Sequence, residues 1–101
     1  MVMIFKSEKA LNYLLSTGRV YTARPRKRRE GKDWITNKYG GKKIADVVVK
    51  LVAIVSTNYQ LLEQFLSESG FSSLEEWLNE VKKLNGYIPD TLYIYQVELV
   101  R

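Results

Sequence analysis

Between Gly18 and Arg24 the sequence Gly-Arg-Val-Tyr-Thr-Ala-Arg sets a hydroxyl and a guanidinium two residues apart. Strand alternation puts Val20, Thr22 and Arg24 on one face, with Tyr21 and Ala23 on the other. Arginine forks onto phosphate oxygens, and a threonine hydroxyl donates to or accepts from a base edge. The pair is therefore a candidate anion or nucleotide site. It opens a stretch of concentrated positive charge. From Arg19 to Lys43 ten cations stand against only Glu30 and Asp33, and Arg26, Lys27, Arg28, Arg29, Lys42 and Lys43 are among them. The rest of the chain is net acidic, so the total is only +5. Clustered cations displace condensed counterions from a polyanion. A solvated, solubilising surface is the competing explanation for such a run.

Other chemistries are narrowed by what is missing. The 101 residues include no cysteine and no histidine. That removes disulfides, thiolate nucleophiles, the usual zinc ligands and the usual general base. No acidic cluster has calcium- or magnesium-loop spacing, so no metal and no cofactor is expected. Gly40-Gly41-Lys42 lacks the spacing and the following Ser/Thr of a phosphate-binding P-loop. The apolar runs Met1–Phe5 and Leu51–Val55 fall far short of the roughly 20 residues a membrane span needs. Charged Lys6, Glu8 and Lys9 follow the first run at once, unlike a signal peptide. A cytoplasmic chain without a membrane partner is the expectation.

The elements that must position these residues follow from periodicity. Ser7 caps a helix carrying Ala10, Leu11, Leu14 and Leu15, which Gly18 ends. Val20–Arg24 is a strand stopped by Pro25, residues 25–33 a basic loop, and Trp34–Thr36 a short strand before the turn at Gly40-Gly41. Ile44–Val55 alternates most clearly, with Ala45, Val47, Val49, Leu51, Ala53 and Val55 on one face. At that length it is expected to bend or bulge. Thr57 or Asn58 then caps a helix carrying Leu61, Leu62, Phe65 and Leu66 that ends near Gly70. A second helix opens on a capping box, either Ser72 with Glu75 or Ser73 with Glu76. It carries Leu74, Trp77, Leu78, Val81 and Leu84, which makes Trp77 a core residue. A last strand, Leu92–Val100, turns Tyr93, Tyr95, Val97 and Leu99 to one side. The order does not alternate as a parallel α/β fold would. It predicts one α+β domain over residues 1–101, a small, mostly antiparallel β-barrel with flanking helices over its openings.

Three segments resemble the ASCH-domain family. Gly18, Thr22 and Arg24 match its Gly-x-Lys…Ser/Thr-x-Arg hallmark after a first helix. Glu68-Ser69-Gly70-Phe71-Ser72-Ser73-Leu74-Glu75-Glu76 is similar to the stretch that opens its later helix, and Tyr93–Leu99 to its closing strand. The resemblance implies a PUA-like barrel that binds RNA in a cleft lined by the hallmark. Some small members look like amidohydrolases acting on N4-acetylcytidine with a Lys, a Thr and a Glu. Carried over, Thr22 falls on the threonine, Arg19 on the lysine, and Ser69 on the glutamate with Glu68 adjacent. A guanidinium stays protonated and is a poor base.

Two functions therefore stand. One is RNA or nucleotide binding through Arg19, Thr22, Arg24, Arg26, Lys27, Arg28, Arg29, Trp34, Lys42 and Lys43. Trp34, Tyr39 and Tyr21 are the aromatics interleaved with these cations; core packing is the alternative for each, strongest for Tyr21 and weakest for Tyr39. The other is hydrolysis of an acetylated nucleoside by Thr22, Glu68 and Arg19, with Asp46, Lys42 or Lys43 as substitute bases. A scaffold whose basic loop meets an acidic partner rests on charge alone.

Overall fold

The computed structural model describes residues 2–56 and 59–100. Ser7 Oγ accepts from the Ala10 amide and opens helix α1, Glu8–Thr17, which Gly18 ends in a left-handed conformation (φ 92°). Ala10, Leu11 and Leu14 are buried, but Leu15 is exposed. The apolar stripe is thus narrower than the periodicity implied. Helix α1 leads directly into strand β2, Arg19–Arg24.

Strand β3 spans Gly31–Thr36, three residues longer at its start than its apolar content announces. Its extra residues are held by register: Gly31 pairs with Val49 and Lys32 with Val48 of β4, Ala45–Val55. The basic loop is accordingly shorter and covers residues 25–30. Strand β4 carries the expected irregularity. Leu51 pairs with Tyr95 and Ala53 with Ile94, which leaves Val52 as the extra residue of a bulge. One strand has no periodic signal at all. Val2–Ile4, at the apolar N-terminus, forms β1, which pairs parallel with β3.

After β4 a single 3-10 turn, Tyr59–Leu62, passes into a short helix, α2, Glu63–Leu66. The caps expected at Thr57 or Asn58 lie outside the described residues. Leu62 is buried and Leu61 exposed, so only part of the expected stripe packs. Helix α3, Leu74–Asn85, takes the Ser73 cap: Ser73 Oγ accepts from the Glu76 amide at 3.1 Å. Glu76 answers one residue further out, accepting from the Ser72 amide at 3.1 Å. Trp77 is buried and stacks on Phe71 with ring centroids 6.2 Å apart, whereas Leu84 is exposed.

Strand β5, Leu92–Leu99, lies between β4 and β2 in a mixed sheet of order β1-β3-β4-β5-β2. Leu92 and Ile94 are buried as completely as Tyr95 and Val97. Its first half is therefore covered on both faces, not on one as alternation alone suggested. All pairings except β1 with β3 are antiparallel. The architecture is α+β, a five-stranded sheet curled into a half-barrel with helices at its ends. Its two edges, β1 and β2, are drawn together by one side chain: Arg24 Nη1 donates to the Ile4 carbonyl at 2.9 Å. Among the described residues no helix is long and apolar enough to cross a membrane.

Candidate nucleic-acid interface

Three arginines of the basic segment are placed in three different electrostatic situations. Arg19 donates from Nε and Nη2 to Glu68 Oε1 at 3.2 and 2.7 Å. That hydrogen bond, together with the charge of Glu68, holds the Arg19 guanidinium above its ordinary value. Arg28 is ion-paired through Nη2 with Asp33, a buried carboxylate whose Oδ1 also accepts from the Trp34 amide at 2.8 Å. Both guanidiniums are therefore already paired with a carboxylate, which charge counting does not reveal.

Among the described residues Arg24 has no such partner. Its Nη1 is spent on Ile4, its Cζ sits 5.1 Å from the centre of the Phe5 ring, and its Nε is buried without a hydrogen-bond partner. The remaining nitrogen, Nη2, is neither sealed nor hydrogen-bonded among the described residues, so it is the corner left open. Burial, reinforced by the charge of Arg28, pushes this guanidinium down to about 10. No carboxylate opposes that shift.

Two clefts meet at Arg24. The first, about 230 Å³, is lined by Lys6, Ser7, Thr22, Arg24, Tyr39 and Asn85 among others. The second, about 370 Å³, is lined by Ile4, Arg24, Arg28, Trp34, Thr36, Lys38 and Tyr39 among others. Neither lining contains an aspartate or glutamate. Thr36, whose hydroxyl is also buried without a partner, sits beside Ile4 in the β1–β3 register. Tyr39 is 79% exposed and lies under Lys6, whose Nζ is 4.9 Å from the ring centre. Trp34 is half-buried at the wall of the second cleft. Tyr21 packs edge-on against Phe65 at 4.9 Å and is an anchor, not a platform.

The basic loop is fastened at its base. Tyr95 Oη accepts from the Arg28 amide at 2.6 Å and donates to the Arg28 carbonyl at 3.3 Å. Glu30 Oε1 accepts from the Leu51 amide at 2.7 Å. Arg26, Lys27 and Arg29 are exposed between these points. Lys42 is exposed too, while Lys43 pairs with Asp46 Oδ1 at 2.7 Å, and neither lysine lines either cleft. Removing the fastening has a defined cost. Tyr95→Phe strands the Arg28 amide and should cost about 1–2 kcal/mol, read as a fall in melting temperature of roughly 4–8 °C per kcal/mol. Trypsin should then cut at Arg26, Lys27 or Arg29 faster than in the parent; an unchanged cutting rate counts against the loop being held there.

The hydrolytic set is not assembled. Arg19 and Glu68 meet, but they line a third depression with Thr17, Gly18, Glu98 and Leu99. Thr22 lines the first cleft, which contains neither of them, because residues three apart on a strand point to opposite faces. Ser69 is buried, with its Oγ donating to the Leu66 carbonyl and accepting from the Phe71 amide. Among the described residues no three His, Cys, Asp or Glu side chains gather as metal ligands.

Lys6 is the cleft residue that charge counting passed over, since it lies outside the basic segment and arrives only through the pairing of β1 with β3. Lys38 was counted only as one cation of the run, and Thr36 carried no signal beyond its residue type. No protein-family model, curated protein or solved structure matches the chain.

Proposed function

We propose that this is a cytoplasmic, ASCH-type domain on a PUA-like barrel that binds single-stranded RNA, or a nucleotide, at the clefts around Arg24. One observation carries the reading. A half-buried arginine of the basic segment keeps its Nη2 unpaired at the junction of two clefts whose walls hold cations, aromatic rings and no carboxylate. A buried cation without a counter-charge is costly, and a ligand phosphate supplies that charge. Arg26, Lys27, Arg29 and Lys42 add exposed positive charge for neighbouring phosphates. Exposed Tyr39 and half-buried Trp34 offer ring faces to unpaired bases. The hallmark-like Gly18, Thr22 and Arg24 and the curled sheet support the family reading.

The test is fluorescence anisotropy with labelled single-stranded RNA, duplex RNA and single-stranded DNA across a salt series. For single strands the slope of log K against log salt is about −0.7 per phosphate contact. Neutralising Arg26, Lys27 and Arg29 together should flatten that slope by about 2 and leave the preference for single strands in place. Binding that ignores salt, or no binding at low salt, ends the proposal.

A further inference from the structure

The two clefts share three walls, Ile4, Arg24 and Tyr39, yet their chemistry differs. The first is polar. It offers the Thr22 hydroxyl and Asn85, whose Nδ2 is committed to the Val81 carbonyl at 2.8 Å and whose Oδ1 is left as an acceptor. The second is apolar and aromatic, with Trp34 beside Val2, Met3 and Ile4. Between them stands a guanidinium whose Nη1 is fixed to β1 and whose Nε is sealed, leaving Nη2 as the nitrogen open to a ligand. That nitrogen can donate a charge-assisted hydrogen bond to a non-bridging oxygen of a phosphodiester. Lys6 stands at one cleft and Lys38 at the other, on either side of that central charge.

We infer that the unit this site takes is a two-nucleotide step of a single strand, with its phosphodiester on Arg24 and one nucleoside in each cleft. The inference rests on the RNA-binding reading and adds the size and polarity of the bound unit. The nucleoside in the first cleft is read at its edge by Thr22 and Asn85. The nucleoside in the second is held by stacking on Trp34, which tolerates any base. A mononucleotide fills one cleft and leaves the other wet. A duplex cannot splay its stacked bases to either side of one buried cation.

The experiment is displacement of a labelled single-stranded RNA by nucleoside monophosphates and by the sixteen dinucleoside monophosphates, followed in parallel by tryptophan fluorescence. The chain has two tryptophans, and Trp77 is buried in the core, so ligand quenching reports Trp34. Dinucleoside monophosphates should compete at least tenfold better than any nucleoside monophosphate and quench a signal that Trp34→Phe removes. Thr22→Val should change base preference at one of the two positions only, and Thr22→Ser should restore it. Both variants are checked for an unchanged melting curve. Mononucleotides competing as well as dinucleotides, or Thr22→Val acting equally at both positions, overturns the inference while leaving RNA binding intact. Failure of the labelled RNA itself to bind removes both.

Discussion

Arg24→Met should leave the melting temperature within about 6 °C of the parent while RNA affinity falls roughly thirtyfold, about 2 kcal/mol. The two halves of that result have separate causes. Lowering a guanidinium from its ordinary value to about 10 corresponds to a folded-state penalty on the order of 3 kcal/mol. Against it stands the hydrogen bond from Nη1 to Ile4, about 1.5–3 kcal/mol for a charged donor. Methionine removes both, together with the guanidinium's contact with the Phe5 ring, and keeps an unbranched apolar stem. The sign in pH is fixed as well. Between about 10 and the ordinary arginine value the unfolded chain holds more protons at this residue than the folded one, so the Arg24 penalty is fully present below about 10 and is relieved as pH rises above it. A fall of more than 15 °C in Arg24→Met would mark the residue as a structural latch, and unchanged affinity would remove it from the binding site. Thermal melts beside anisotropy titrations separate the two.

Gly70→Ala should be the most destabilising single methyl in the described chain. Gly70 has φ +90°, and a Cβ there would stand 2.5 Å from the Lys9 carbonyl oxygen and 2.9 Å from its carbon. Both atoms belong to the backbone of α1, so relief requires the helix or the turn to move. Left-handed strain and the overlap together should cost about 3 kcal/mol or more, a fall of at least 12 °C in melting temperature. The effect reaches further than stability. The same turn bonds the Glu68 carbonyl to the Tyr21 amide at 2.8 Å and delivers the Glu68 carboxylate to Arg19. A loss below about 1 kcal/mol in chemical denaturation would contradict the close approach of turn and helix.

Sequence alone made some of this legible for physical reasons that the elements display. Helix α1 and helix α3 announced their ends because Ser7, Ser73, Gly18 and Gly86 do specific capping chemistry, and β4 announced itself because eleven residues give alternation room to show. Strand β1 stayed hidden: three apolar residues fit a strand, a helix or a tail equally well, and its partner lies 32 residues on. Exposed Leu15, Leu61 and Leu84 have a related cause, since helical spacing marks a stripe but not how wide a face the sheet can cover.

The candidate site was half legible. The motif gave Thr22 and Arg24, and the charge run gave the loop. Counting charges could not tell which were already neutralised. Asp33 meets Arg28 because Tyr95 and the β3 register fix the loop, and Glu68 meets Arg19 because of a turn at Gly70. The clefts themselves are assembled from β1, β2, the 37–41 turn and the end of α3, a conjunction no local window contains.

The three-residue strand β1 has a dynamic consequence. It hangs on the sheet's edge by one parallel ladder, the Phe5 amide bond to Thr36 and the Arg24 contact. Short edge segments open locally at far lower cost than the global fold. Because Ile4 walls both clefts, a ligand resting there ties the strand down and raises the cost of its opening. Hydrogen exchange at the Met3 and Phe5 amides should therefore slow on binding, while amides in the middle of β4 and β5 keep their rates. The occupied site would be visible as a change in the breathing of the protein's first strand.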